Sequence, residues 1–92
     1  MSDSKPDDLS IAHEEGIKEL DKVILSKGAW TTILYKLQKY DNRKEEYGQE
    51  QYTIRRYQKR EGQYQQKSRF NISSREQARK IIEALQNWQD ET

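Results

Sequence analysis

Residues 52–85 read YTIRRYQKREGQYQQKSRFNISSREQARKIIEAL, and the order of elements in this stretch sets the fold. In an extended chain successive side chains alternate between faces. Tyr52–Arg60 therefore puts Thr53, Arg55, Tyr57 and Lys59 on one side and Tyr52, Ile54, Arg56 and Gln58 on the other. Arg60-Glu61-Gly62 supplies a short turn, and residues 64–72 form a further strand. In that strand Ser68, Phe70 and Ile72 share a face, while Lys67, Arg69 and Asn71 point the other way. Ser73-Ser74-Arg75-Glu76 then reads as a helix start, with Ser73 as N-cap and Glu76 as its capping-box partner. Ala78, Ile81, Ile82, Leu85 and Trp88 follow at helical spacing as one apolar stripe. A lone amphipathic helix of this length is marginal in water, so the stripe needs cover from the sheet or from another copy. Trp88 continues the stripe and reads as a packing residue.

Upstream, WTTILYKLQKY at 30–40 is dense in β-branched and aromatic residues and reads as a strand. Thr31, Ile33, Tyr35 and Leu37 make its core face; Trp30, Thr32, Leu34, Lys36, Gln38 and Tyr40 make the other. Residues 41–50 form a charged break. The segment before Trp30 is ambiguous, since Ile17, Leu20, Val23 and Ile24 fit a helical stripe whereas Val23–Leu25 followed by Ser-Lys-Gly fits a strand ending in a turn. A strand over 18–26 is the favoured reading. Residues 1–16 are polar, acidic and hold the only proline, a composition that suits a disordered tail ahead of a single domain over 17–90. The expected class is α+β: four strands, then a helix, with the cationic positions collecting on the sheet face that the helix does not cover.

Charge is unevenly distributed along the 92 residues. Residues 1–21 hold seven acidic side chains against two basic ones, net −5, and residues 22–80 hold fifteen basic against six acidic, net +9. A basic domain favours a polyanionic partner, although a basic solvated surface has the same composition. A strand that interleaves cations with an aromatic ring can hold phosphates and stack bases together. The same pattern also suits an exposed β-surface whose cations protect an edge.

The chain is too small to bury a large core, hiding only about 60% of its unfolded surface. It has no cysteine, so no disulfide staples it and no thiolate can bind metal or attack a substrate. Oligomerisation is the remaining common way to add buried surface. His13 is the only histidine and the four glycines stand singly, so metal-site, triad and phosphate-loop motifs are missing. No enzymatic activity, cofactor, metal or small-molecule substrate is expected. No apolar run approaches the roughly 20 residues of a membrane span, and no signal-peptide core is seen. The expected location is cytoplasmic, nucleoid-associated in a bacterium.

The run YTIRRYQKREGQ followed by KSRFNISSREQARKIIEAL resembles the positive cofactor four family of transcriptional coactivators and its bacterial single-stranded-DNA-binding relatives. Ile54, Arg55 and Tyr57, then Phe70, Ile72, Ser74, Glu76 and Gln77, carry the resemblance, and ILSKGAW with Leu34 and Leu37 is similar to the first hairpin of the bacterial relatives. The resemblance spans residues 17–88. It implies a curved antiparallel sheet backed by the C-terminal helix, and a homodimer formed through the helices, with Ile81, Ile82, Leu85 and Trp88 at the interface. It also implies a cationic face that binds single-stranded DNA with little sequence preference.

On that reading Lys36, Lys39, Arg55, Lys59, Lys67 and Arg69 neutralise phosphates, and Trp30, Tyr40 and Tyr57 stack unpaired bases, with Thr32 beside them on the same strand. Lys39 shares its alternation with Leu37 and joins the set only if a bulge turns it over. Nothing in the sequence distinguishes RNA from DNA. The other class is a small dimeric protein-interaction module whose basic face meets an acidic protein. The acidic segment, beside a strongly basic domain, is a candidate competitor for the basic face or a solubilising leader.

Overall fold

The computed structural model describes residues 5–91. A short 3-10 turn at Pro6–Asp8 opens a strap that runs to Gly16, followed by β1 (Ile17–Ser26), β2 (Trp30–Asp41), β3 (Glu46–Tyr47), β4 (Gln51–Arg60), β5 (Gln63–Ile72) and α1 (Arg75–Asp90). The four long strands make a curved, open antiparallel sheet in the order β1-β2-β4-β5, and the two-residue β3 pairs with the end of β2. The class is α+β with the ββββα order, as expected from the sequence. The β4–β5 turn places both Glu61 and Gly62 at positive φ, 51° and 81°. A two-residue hairpin loop needs that geometry to match strand twist, and glycine meets it without strain.

The register assigns every side chain to one of two faces. Thr31, Ile33 and Tyr35 of β2 lie opposite Tyr57, Arg55 and Thr53 of β4, and this is the Ile33 face. Thr32, Leu34 and Lys36 lie opposite Arg56, Ile54 and Tyr52, and this is the Leu34 face. Register shifts in β1 leave Leu20 and Leu25 unpaired, and one between Arg56 and Tyr57 leaves Lys67 unpaired in β5. Such bulges increase local twist and bend the sheet.

The Ile33 face is closed, whereas on the Leu34 face Ile72, opposite Tyr52, is the one buried side chain among the described residues. Residues 5–16, expected as a disordered tail, lie across the Ile33 face: Ile11 is 0% exposed and clusters with Ile33, Tyr35, Leu37 and Tyr57, while Leu9, Ile17, Ile24 and Tyr64 pack at the margin. A single sheet must bury at least one face to be stable, and the strap supplies the second layer here. Full burial of a side chain such as Ile11 is worth about 1.5–3 kcal/mol. Polar contacts fix the strap as well. Glu19 accepts from Ser10 Oγ (2.8 Å) and from the Ile11 N–H (3.0 Å), and Lys22 Nζ donates to the carbonyls of Asp7 and Leu9.

The helix departs from expectation in two ways. Its N-cap is Ser74, one residue later than the sequence pattern suggests: the Ser74 hydroxyl accepts from the Gln77 N–H (3.1 Å), and Gln77 Oε1 accepts from the Ser73 N–H (3.0 Å). Gln77 therefore takes the return role assigned to Glu76. In addition, only the start of the stripe, Ala78 and Ile81, is half-buried within the chain. No residue of α1 is buried, and Ile82, Leu85 and Trp88 are exposed, Trp88 at 64%.

Candidate nucleic-acid interface

Arg55 lies near the middle of the Ile33 face, 3% exposed, and every arm of its guanidinium is engaged. Nε donates to Thr53 Oγ1 (3.0 Å), and Nη1 donates to Gln66 Oε1 (2.9 Å) and to Glu14 Oε2 (2.6 Å). Nη2 donates to the other Glu14 oxygen at 3.3 Å. The fork thus grips both oxygens of one carboxylate, the geometry in which arginine also recognises phosphate. Thr53 is held in turn by donating to Asn71 Oδ1 (2.7 Å) on β5. The hydrogen bond from Arg55 holds the Glu14 carboxyl below its ordinary value, against an opposing effect of burial.

Beside this pair lies a cleft of about 320 Å³ whose walls include Lys39, Tyr40, Arg55, Arg69 and Glu14. Arg69 stands directly across from Arg55 in the β4–β5 register and is exposed. Lys39 pairs with Ile17 of β1, keeps the alternation of Leu37 and is exposed. The bulge invoked to turn it over is absent from this part of β2; Lys39 joins the arginines because Arg55 lies on the Leu37 side. Tyr40, 41% exposed, packs edge-on against Tyr47 at 5.3 Å between centroids.

The remaining candidates do not form one continuous surface. Tyr57 shares the face of Arg55 but is 5% exposed, and its hydroxyl lies 3.0 Å from that of Tyr35. Burial pushes both phenols up. Tyr57 is therefore a core residue in this state. Lys59, on the same face by alternation, sits 5.6 Å from the Tyr64 ring, and Lys67 occupies the β5 bulge. Trp30, Thr32 and Lys36 belong to the Leu34 face. Trp30 is covered by the Arg56 guanidinium at 4.5 Å, and Lys36 is paired with Glu50 at 3.4 Å. The expectation of one cationic face clear of the helix thus gives way to two sets on opposite sides. The core side chains of β2 and the Arg55 side chains of β4 face the same way because directly paired residues share a face.

Sequence reading missed Ile11 and Glu14 as partners of the sheet. The available signal was the pair Leu9 and Ile11 inside an otherwise polar segment, followed by Gly16 just before β1. Among the described residues no group of three or more His, Asp or Glu side chains could hold a metal, and no helix is long and apolar enough to cross a membrane. Compared with protein-family models, characterised proteins and solved structures, the chain finds no match in any of the three.

Proposed function

We propose that this chain binds single-stranded nucleic acid, DNA or RNA, with little sequence preference and as a homodimer. The observation that carries the reading is the cleft walled by Lys39, Arg55 and Arg69, in which Arg55 already holds an anion by two N–H groups. Three cations converge where phosphates would lie, and Tyr40 at the same cleft offers a ring for an unpaired base. Bases paired inside a duplex cannot reach such a ring, so single strands are preferred.

The second copy is assigned to the side away from this cleft. Val23, Leu34, Ile54 and Phe70 form a directly paired row across all four long strands on the Leu34 face, and in the α1 stripe Ile82, Leu85 and Trp88 are exposed while Ile81 is half-buried. Apolar surface of this extent on a small chain favours self-association. The reading as a protein-interaction module is favoured by one observation, the burial of Tyr57 and Arg55 under the strap, which closes much of the face.

The deciding experiment is titration of a fluorescein-labelled dT oligonucleotide, with a duplex of matching length, at two salt concentrations. Single-strand preference is expected, with the slope of log K against log salt about 0.7 shallower for each of Lys39→Ala and Arg69→Ala. Equal affinity for duplex and single strand would reduce the cleft to a basic patch and leave the interaction module. Sedimentation at several concentrations tests the dimer, which Ile82→Asp is expected to dissociate.

A further inference from the structure

The strap combines a fixed anchor with a movable contact. Ile11 is fully buried and its N–H is bound by Glu19, and at the other end the Gly16 carbonyl accepts from the Tyr40 N–H at 2.8 Å. Between these points Ala12, His13 and Glu15 are exposed, and Glu14 is half-buried with its carboxylate on Arg55. Gly16 has φ 76°, and nothing lies within 4 Å of where its Cβ would stand, so the segment ends in an uncrowded left-handed turn. Rotation of the Glu14 side chain alone would free Arg55 towards the cleft without withdrawing Ile11 from the core.

We propose that Glu14 is a built-in competitor for the nucleic-acid site, occupying on Arg55 the seat that a phosphate takes. This rests on the single-strand-binding reading above. The carboxylate offers Arg55 the same pair of charge-assisted acceptors as two phosphate oxygens, while Thr53 and Gln66 keep the guanidinium aimed whichever anion is bound. Without an anion, Arg55 would be a buried charge lacking compensation, which is strongly unfavourable. Glu14 removes that cost in the free protein and sets a threshold that a ligand has to exceed. The apparent affinity is the intrinsic one multiplied by the fraction of molecules in which Glu14 is off the seat.

The test compares wild type with Glu14→Gln and Glu15→Gln for binding of the labelled dT oligonucleotide at low salt. Both variants remove one negative charge beside the same cleft, but only Glu14 touches Arg55. Glu14→Gln is expected to bind about tenfold more tightly than wild type, and Glu15→Gln by less than about threefold, since an exposed charge that makes no contact with Arg55 is screened. Hydrogen exchange at the Ile11 amide, unchanged in Glu14→Gln, checks that the strap is still docked. Equal gains in the two variants, or no gain in Glu14→Gln while wild type still prefers the single strand, would overturn the competitor and leave the binding site standing. Absence of single-strand preference in all three proteins would overturn the binding reading and the competitor with it.

Discussion

The Ile33 face and the Leu34 face are made by the same four strands, with alternate residues of each strand contributing to one or the other. On the first, Ile33, Tyr35 and Leu37 are buried beneath Ile11, and Arg55 is enclosed by four hydrogen bonds. On the second, Val23 is 53% exposed and Phe70 equally so, although both sit in an apolar row. The difference comes from what the chain can reach. The strap enters β1 directly through Gly16 and folds back over the Ile33 side, whereas α1 leaves the far end of β5 with none of its residues buried. One face is a completed core with a polar inclusion, and the other is an apolar surface left largely open within the chain.

The largest expected contrast between the faces is in stability. Ile11→Ala should cost about 2–5 kcal/mol in urea unfolding, because it empties a fully enclosed site. That is a large part of the roughly 5–15 kcal/mol available to a typical domain. A cost near zero would mean that the strap contributes little to the core.

Arg55→Leu comes next, at about 2–3 kcal/mol. This falls at or below the range for breaking a buried ion pair, since Glu14 reaches solvent and can rehydrate. The same variant should abolish the gain in nucleic-acid affinity produced by Glu14→Gln.

The pH dependence follows from the same pair. Glu14 has its carboxyl held below the unfolded value, so its contribution is fully present above the ordinary carboxylate range and is lost as pH falls through the folded value. The protection factors of the amides around Glu14, unlike that of the separately anchored Ile11, should therefore fall in acid in wild type, and Glu14→Gln should lack that pH-dependent component.

The smallest effect is expected on the open face. Val23→Thr should change the stability of the dilute chain by no more than about 0.5 kcal/mol, as an exposed site with nothing packed on it. At high protein concentration the wild type should gain thermal stability by mass action and the variant should gain less. A large loss in the dilute variant would show that the Leu34 face is already covered within one chain.

The strands were legible because their signal is local. Thr31, Ile33, Tyr35 and Leu37 alternate along one strand, and Glu61-Gly62 carries the backbone freedom its turn requires. The helix was legible in extent but not in its exact cap, since Ser73 and Ser74 compete for one position and only backbone geometry chooses Ser74. The site was partly legible: Lys39, Tyr40, Arg55 and Arg69 converge at one cleft, whereas Trp30, Thr32 and Lys36 fall on the opposite side.

The sequence by itself determined the order of the long strands from Trp30 onward, the amphipathic helix after them, and the division of charge along the chain, but not the short β3 inside the charged break. These depend on spacing between neighbours, and spacing is written in the sequence. Tertiary structure alone decided that Arg55 faces Ile33, that Ile11 packs with Ile33, and that Glu14 reaches an arginine 41 residues away. Those outcomes depend on the register between strands and on the path of the strap, and a one-residue slip of β4 against β2 would have put Arg55 on the open face.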